Sequence, residues 1–309
     1  MIHPVFIGCD VSKAHLDLFD AQTRKHRRID NDPAAIGAFL GELAGRDVTV
    51  VLEATGRYDR HLCAALEAAG RPFCRVNPAR ARDFARATGR TAKTDALDAR
   101  LLAHMGQTLR PAVRTPPDPS RRRLASLHTR RDQLVATRQQ ERLRLHTAEP
   151  MECDSLLRHI AWLDQEIAAV EASCQSHVDA HEALRQAHAR LRSIPGVGQV
   201  TALTLLAHMP ELGRASPKAM AALAGLAPFN VDSGTHRGQR HIRGGRKRVR
   251  DALYMAALVA YRLKTPFAAT LQAMIAARKP FKVMIIAIAR KILVTANAIL
   301  RDDKPFKSA

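Results

Sequence analysis

The sequence predicts an α/β domain, then a long helical arm, then a mostly helical C-terminal domain: α/β plus α overall. Three observations predict it. Short β-branched runs alternate with helix-like stretches up to about residue 112. Apolar residues then recur at heptad steps between Leu156 and Cys174, and beyond residue 191 apolar runs of helical length return around a glycine- and arginine-rich interruption. The domains expected are 1–112, 113–190 (linker and coiled-coil arm) and 191–309.

In the first segment Val5–Asp10, Ala14–Phe19, Val48–Glu53 and Phe73–Val76 read as strands. Pro33–Leu43 and Tyr58–Ala69 read as helices, and helix signals resume from Pro78. That order fits a helix-covered mixed sheet. Pro111 and Thr115-Pro116-Pro117-Asp118-Pro119 cannot stay helical and read as a linker. Leu156, Ile160, Leu163, Ile167, Val170 and Cys174 then form an a/d seam, with Leu124, Leu127, Leu134 and Leu145 in a similar frame and Glu149-Pro150 between the halves. A helical hairpin or coiled-coil arm follows, its seam meeting either a second copy of the chain or an internal bundle. Cys174, His177 and His181 have a zinc-like spacing, but they continue the seam and lack a fourth ligand, so packing is the preferred reading.

Four carboxylates stand out in the first domain. Asp10 and Glu53 each close a buried strand ahead of a turn, while Asp95 and Asp98 lie three residues apart, on one face of a helix. Each has an ordinary reading as a cap, an ion-pair partner or a solvated face. Together they suggest a pocket that repels itself unless cations neutralise it, and oxygen ligands without histidine or cysteine favour Mg²⁺ or Mn²⁺. Two such ions, about 3.5–4 Å apart, can clamp the attacking and leaving oxygens of a phosphodiester.

Composition points to the substrate. Lys and Arg number 49 against 29 Asp and Glu, a net charge of +20, and the pI near 10.8 marks a polyanion partner. At 4% aromatic residues, phosphate and groove contacts are expected rather than base stacking. The uncharged apolar stretch Val283–Ala289 is too short to span a membrane, no N-terminal signal pattern is visible, and five scattered cysteines read as reduced thiols of a cytosolic protein.

Ile194-Pro195-Gly196-Val197-Gly198 before an apolar helical run resembles the hairpin of a helix-hairpin-helix motif, in which Gly196 and Gly198 would let backbone N–H groups approach a phosphate. An ordinary tight turn is the alternative. Between Arg237 and Arg250 seven of fourteen positions are Arg or Lys, and a flexible loop bearing Arg237, Arg240, Arg243, Arg246, Lys247 and Arg248 could wrap a nucleic-acid backbone. Ser233, between Asp232 and Gly234, is a candidate nucleophile or an ordinary turn serine. His236 and His241 are read as phosphate contacts or packing residues rather than as acid or base.

Gly8-Cys9-Asp10-Val11-Ser12-Lys13, Glu53-Ala54-Thr55-Gly56 and Lys93-Thr94-Asp95-Ala96-Leu97-Asp98-Ala99, with Ile194–Gly198 and Ser233-Gly234 downstream, resemble the DEDD transposases of the insertion sequence 110 family over essentially the whole chain. The resemblance implies a RuvC-like domain of RNase H fold, a coiled coil and a C-terminal transposase domain bearing a serine. It implies Mg²⁺ at Asp10, Glu53, Asp95 and Asp98, and a covalent phosphoserine at Ser233. It further implies guidance by a structured non-coding bridge RNA pairing with element and target DNA, dimers joining into a tetramer, and a cytoplasmic, nucleoid-associated prokaryotic setting. The rival enzymatic reading is a Mg-dependent, structure-specific nuclease similar to a Holliday-junction resolvase, which would not need Ser233. A non-catalytic nucleic-acid-binding protein would need only the basic surface and the coiled coil.

Overall fold

The computed structural model describes residues 5–54, 56–89, 95–114, 118–229, 232–233, 236–238, 240–263 and 266–306, with the side chains of 95–97, 232–233 and 236–237 outside the description. Contacts divide the chain into two compact units, Met1–Pro116 and Pro117–Ala309.

The first unit contains strands β1 (Val5–Val11), β2 (His15–Asp20), β3 (His26–Asp30), β4 (Val48–Glu53) and β5 (Phe73–Val76). Its helices are α1 (Pro33–Glu42), α2 (Arg60–Ala68), α3 (Pro78–Ala87) and α4 (Asp95–Leu109). The strand order is β3-β2-β1-β4-β5. β1 pairs antiparallel with β2, and β2 with β3, whereas β1, β4 and β5 run parallel. The central strands are buried on both faces, which is why they read as continuous apolar runs. Ile7, Cys9, Val50 and Leu52 face α1 and α2 through Ile36, Phe39, Leu62 and Leu66. Phe6, Val51 and Cys74 face Ala81 of α3 and Leu102 and Met105 of α4. Strand β3 escaped the sequence reading because His26-Arg27-Arg28-Ile29-Asp30 is a polar edge strand with little apolar signature.

Several helices start where an acid or amide precedes proline. Asp32 accepts from the Ala35 amide ahead of α1, Asn77 from Ala79 ahead of α3, and Asp118 from Ser120 and Arg121 ahead of α5. Each proline takes the first turn, where its missing N–H costs nothing.

The second unit contains α5 (Pro119–Leu145), α6 (Pro150–Asp179), α7 (Glu182–Arg192), α8 (Gln199–His208), α9 (Pro217–Leu223), α10 (Lys247–Arg262), α11 (Ala268–Ala276) and α12 (Phe281–Asp302). Among the described residues between α9 and α10 are the two-residue strands β6 (Pro228–Phe229), β7 (Asp232–Ser233), β8 (His236–Arg237) and β9 (His241–Ile242). Its core joins α8, α10 and α12 through Leu205, Leu206, Leu253, Ala257, Ile288 and Ile292. Among the described residues, α12 alone is long and apolar enough to cross a membrane. Its apolar side instead fills this core, with Ile285, Ala289, Leu293 and Ala296 fully buried.

The heptad seam is real, but the chain fills it internally. Leu163 and Ile167 of α6 pack on Leu134 of α5, with Val135 and Val170 beside them, while Cys174 belongs to the main core. Of the two partners left open for this seam, the one seen within the chain is internal: α5 folds back along α6. His177 Nε2 pairs with the Ser120 carbonyl at 2.8 Å, and His181 Nδ1 with the His177 carbonyl at 2.7 Å, so these imidazoles serve the helix ends. Acidic partners on the hairpin also hold several of its own arginines. Arg131 meets Glu171 at 2.8 Å, Arg138 and Arg142 meet Asp164, and Arg144 meets Glu141.

Candidate active site

Asp10 and Glu53 lie side by side. Cys9 pairs with Leu52 across the parallel β1–β4 ladder, and the next residues on the two strands are the two acids. Strand side chains alternate. Asp10 therefore shares the face of Phe6 and Gly8, and Glu53 that of Val51, which is the face covered by α4. Both acids are half-buried.

Helix α4 brings Asp98 to the same edge. A Cβ on Gly8 would meet the Ala99 carbonyl oxygen and the Ala103 nitrogen, and one on Gly106 would meet Phe6. As β1 runs from Phe6 to Gly8, α4 runs from Gly106 back to Ala99. The helix is thus antiparallel to the strand and opens at its C-terminal end. Asp98, also half-buried, immediately precedes Ala99. Asp95 is the first residue of α4, one turn earlier, and its side chain lies outside the described residues. Among the described residues no three acid, histidine or cysteine side chains form a group able to hold a metal by themselves.

A further carboxylate escaped the sequence reading. Asp17 of β2 stands directly across from Asp10 and is 3% exposed. Beside Asp10, Cys9 is a fully buried thiol whose pKa is pushed up by burial and then by the neighbouring Asp10 charge, which removes it as a nucleophile at neutral pH.

In the second unit the serine segment is a hairpin. Ser233 on β7 pairs in register with His236 on β8, and Asp232 with Arg237. The ladder of β6 with β9 pairs Phe229 with His241. The segment expected as a flexible loop is therefore partly ordered by two short ladders, and Arg243 stacks over the Phe229 ring at 4.7 Å.

Two family descriptions cover both units. A DEDD transposase of IS110 type matches residues 7–148, the stretch holding all four acids. The "Transposase IS116/IS110/IS902 family" matches residues 188–272, which include Ser233 and the arginine-rich segment. The pilin gene-inverting protein of Moraxella bovis is 30% identical over 266 residues, covering 83% of this chain and 81% of that protein. The counterpart from Moraxella lacunata matches to the same extent. The chain belongs to the IS110 family of transposases.

DNA is thus the substrate of this transposase, and its DEDD domain implies use of a divalent metal. The basic residues of the transposase divide into two kinds. Arg246 donates to both Glu211 carboxylate oxygens at 2.6 Å and to the His208 carbonyl at 3.0 Å. Burial alone would raise the Glu211 pKa, but the bonds from Arg246 hold it below its ordinary value. Arg248 meets Asp132 at 2.9 Å, Thr129 at 3.0 Å and His208 Nε2 at 2.9 Å. Arg240, by contrast, is exposed, and Lys247 reaches Asp251 one turn along its own helix. Sequence alone could not make this division, because Glu211 and Asp132 are remote along the chain.

The hairpin glycines also differ. Gly196 has φ of +89° and its Cβ would meet the Ala256 carbonyl oxygen at 2.6 Å, so its freedom serves packing against α10. Gly198 is the N-cap of α8, where a Cβ would meet nothing within 4 Å.

Proposed function

We propose that this transposase cuts and rejoins DNA through a covalent phosphoserine intermediate at Ser233. Asp10, Glu53, Asp95 and Asp98 would hold Mg²⁺, with Mn²⁺ able to serve in its place. The observation that carries the reading is the placement of Asp10 and Glu53 on neighbouring parallel strands, on the face where α4 opens with Asp95 and Asp98. The first unit is read as RuvC-like, of RNase H fold, on the same ground. The donor set fits a hard divalent cation in kind, being all carboxylate. Bound there, the metal would supply Lewis-acid stabilisation of charge on the scissile phosphate.

In the proposed reaction the Ser233 oxygen loses its proton and attacks phosphorus. The bond to the leaving DNA oxygen breaks, and that oxygen takes up a proton. The serine ester keeps the bond energy until a DNA hydroxyl from the exchanged strand attacks and releases the serine. Rejoining without net hydrolysis is what inversion of a DNA segment requires, and the Moraxella relatives are named as gene-inverting proteins. Arg237, Arg240 and Arg243, with the open N-terminus of α8 at Gly198, would contact phosphates. A structured bridge RNA would supply sequence recognition, and dimers joining into a tetramer would hold the two DNAs.

The test is to incubate the purified protein with its co-expressed RNA, element-end DNA and Mg²⁺, and to look for a protein–DNA adduct on a denaturing gel. The expected result is an adduct lost in Ser233→Ala, in Asp10→Asn, with chelator and without RNA. Metal-dependent cutting without an adduct would replace this reading with that of a structure-specific nuclease, and an adduct formed without RNA would remove the guide.

A further inference from the structure

The pairing registers set one row of side chains across four strands. Asp10 pairs with Asp17, and Asp17 with Arg28. Glu53, beside Asp10 on β4, extends the row on the other side. Directly opposed residues share a face, so three carboxylates followed by a guanidinium lie across the face on which α4 packs. Like charges directly opposed across strands repel, and a carboxylate as buried as Asp17 needs hydrogen-bonding partners of opposite charge. Arg28 supplies them: its Nε donates to both Asp17 oxygens at 3.1 Å and its Nη2 to Oδ2 at 2.9 Å. His26 Nε2 lies 2.9 Å from Oδ1. Asp17 is 3% exposed while Arg28 is 50% exposed, so the pair runs from the interior to the surface.

We propose that Asp17 and Arg28 are a positioning pair for the metal-binding acids, with Asp17 holding a permanent positive charge at the end of the row that carries Asp10 and Glu53. The pair is electrically neutral as a unit. Its two members act oppositely on a divalent cation bound at Asp10, and the guanidinium offsets acid repulsion whenever no cation is there. This inference rests on the carboxylate metal site proposed above.

The experiment is a calorimetric titration of the full-length protein with Mn²⁺ at low ionic strength, alongside melting temperatures measured in chelator. Arg28→Gln should tighten Mn²⁺ binding about three- to tenfold and lower the metal-free melting temperature, because it leaves Asp17 unbalanced. Asp17→Asn, which keeps the shape and a hydrogen-bonding oxygen, should weaken binding by a similar factor. The double variant should return to within about twofold of wild type, and Arg28→Lys, which keeps the charge, should bind as wild type does. A structural pair alone would lower melting temperatures without opposite shifts in Mn²⁺ affinity, and that result overturns the inference while leaving the metal site standing. Wild type and Asp10→Asn titrating alike would remove the metal site and the inference together.

Discussion

Gly8 and Ala99 meet backbone to backbone. A Cβ on Gly8 would lie 1.9 Å from the Ala99 carbonyl oxygen and 2.5 Å from the Ala103 nitrogen. No side chain can be accommodated there without moving α4 off the sheet. The contact sets the height of Asp98 above the strand that carries Asp10.

Gly8→Ala is therefore expected to destabilise the first unit by about 1–3 kcal/mol or more and to abolish DNA cleavage. Gly41→Ala, in α1 where a Cβ meets nothing within 4 Å, should leave both unchanged or raise stability by about 0.5–1 kcal/mol. Thermal melts with a cleavage assay on both variants check this, and an active, stable Gly8→Ala protein would refute the close approach.

The arginines should divide by the partners they hold. Arg246→Ala strands Glu211, a half-buried carboxylate, and should cost about 1–3 kcal/mol of stability. Arg240→Ala should leave the melting temperature alone, weaken DNA binding at low salt, and reduce the slope of log affinity against log salt by about 1. Melting curves and binding isotherms at several salt concentrations separate the two behaviours.

His208 makes the second unit acid-sensitive. Its Nε2 accepts from Arg248, which has no acceptor to offer, so the imidazole is neutral with its proton on Nδ1. Burial first, then Arg248 and His128, push its pKa down to about 3 from 6.5. A depressed histidine contributes stability that is complete above pH 6.5 and is lost as the pH falls from 6.5 towards 3, by up to about 1 kcal/mol per pH unit after screening. Burial likewise lowers the His128 pKa, in the same direction. The unfolding midpoint of the second unit should drop between pH 6.5 and 4.5. His208→Gln, which keeps an oxygen for Arg248, should flatten that decline, and an unchanged slope would count against it.

How much of this was legible in the chain varies residue by residue. Asp10 and Glu53 could be read because each ends an apolar run, and a run of that kind forms a strand whatever its neighbours are. Pro33 and Pro78 stood at the head of stretches that read as helical, whereas Pro119, read as part of the linker, is the first residue of α5, with Asp118 capping it. Asp17 could not be read, since its importance depends on pairing with Asp10 on one side and on a polar edge strand carrying Arg28 on the other. The heptad of α6 was legible as a seam, but spacing alone does not say whether α5 or another chain fills it. Arg246 and Arg248 looked like their neighbours because an arginine's partner is chosen by tertiary structure.

The pairing of Phe229 with His241 has a thermodynamic side. By tying the two ends of the serine-bearing stretch together, the ladder removes most of the loop-closure entropy before any DNA arrives. If Arg237 and Arg240 contact phosphate as proposed, they would do so as tethered ligands at high effective concentration. Under the proposed phosphoserine route, binding energy that would otherwise go into ordering the segment would be left for bringing Ser233 onto phosphorus.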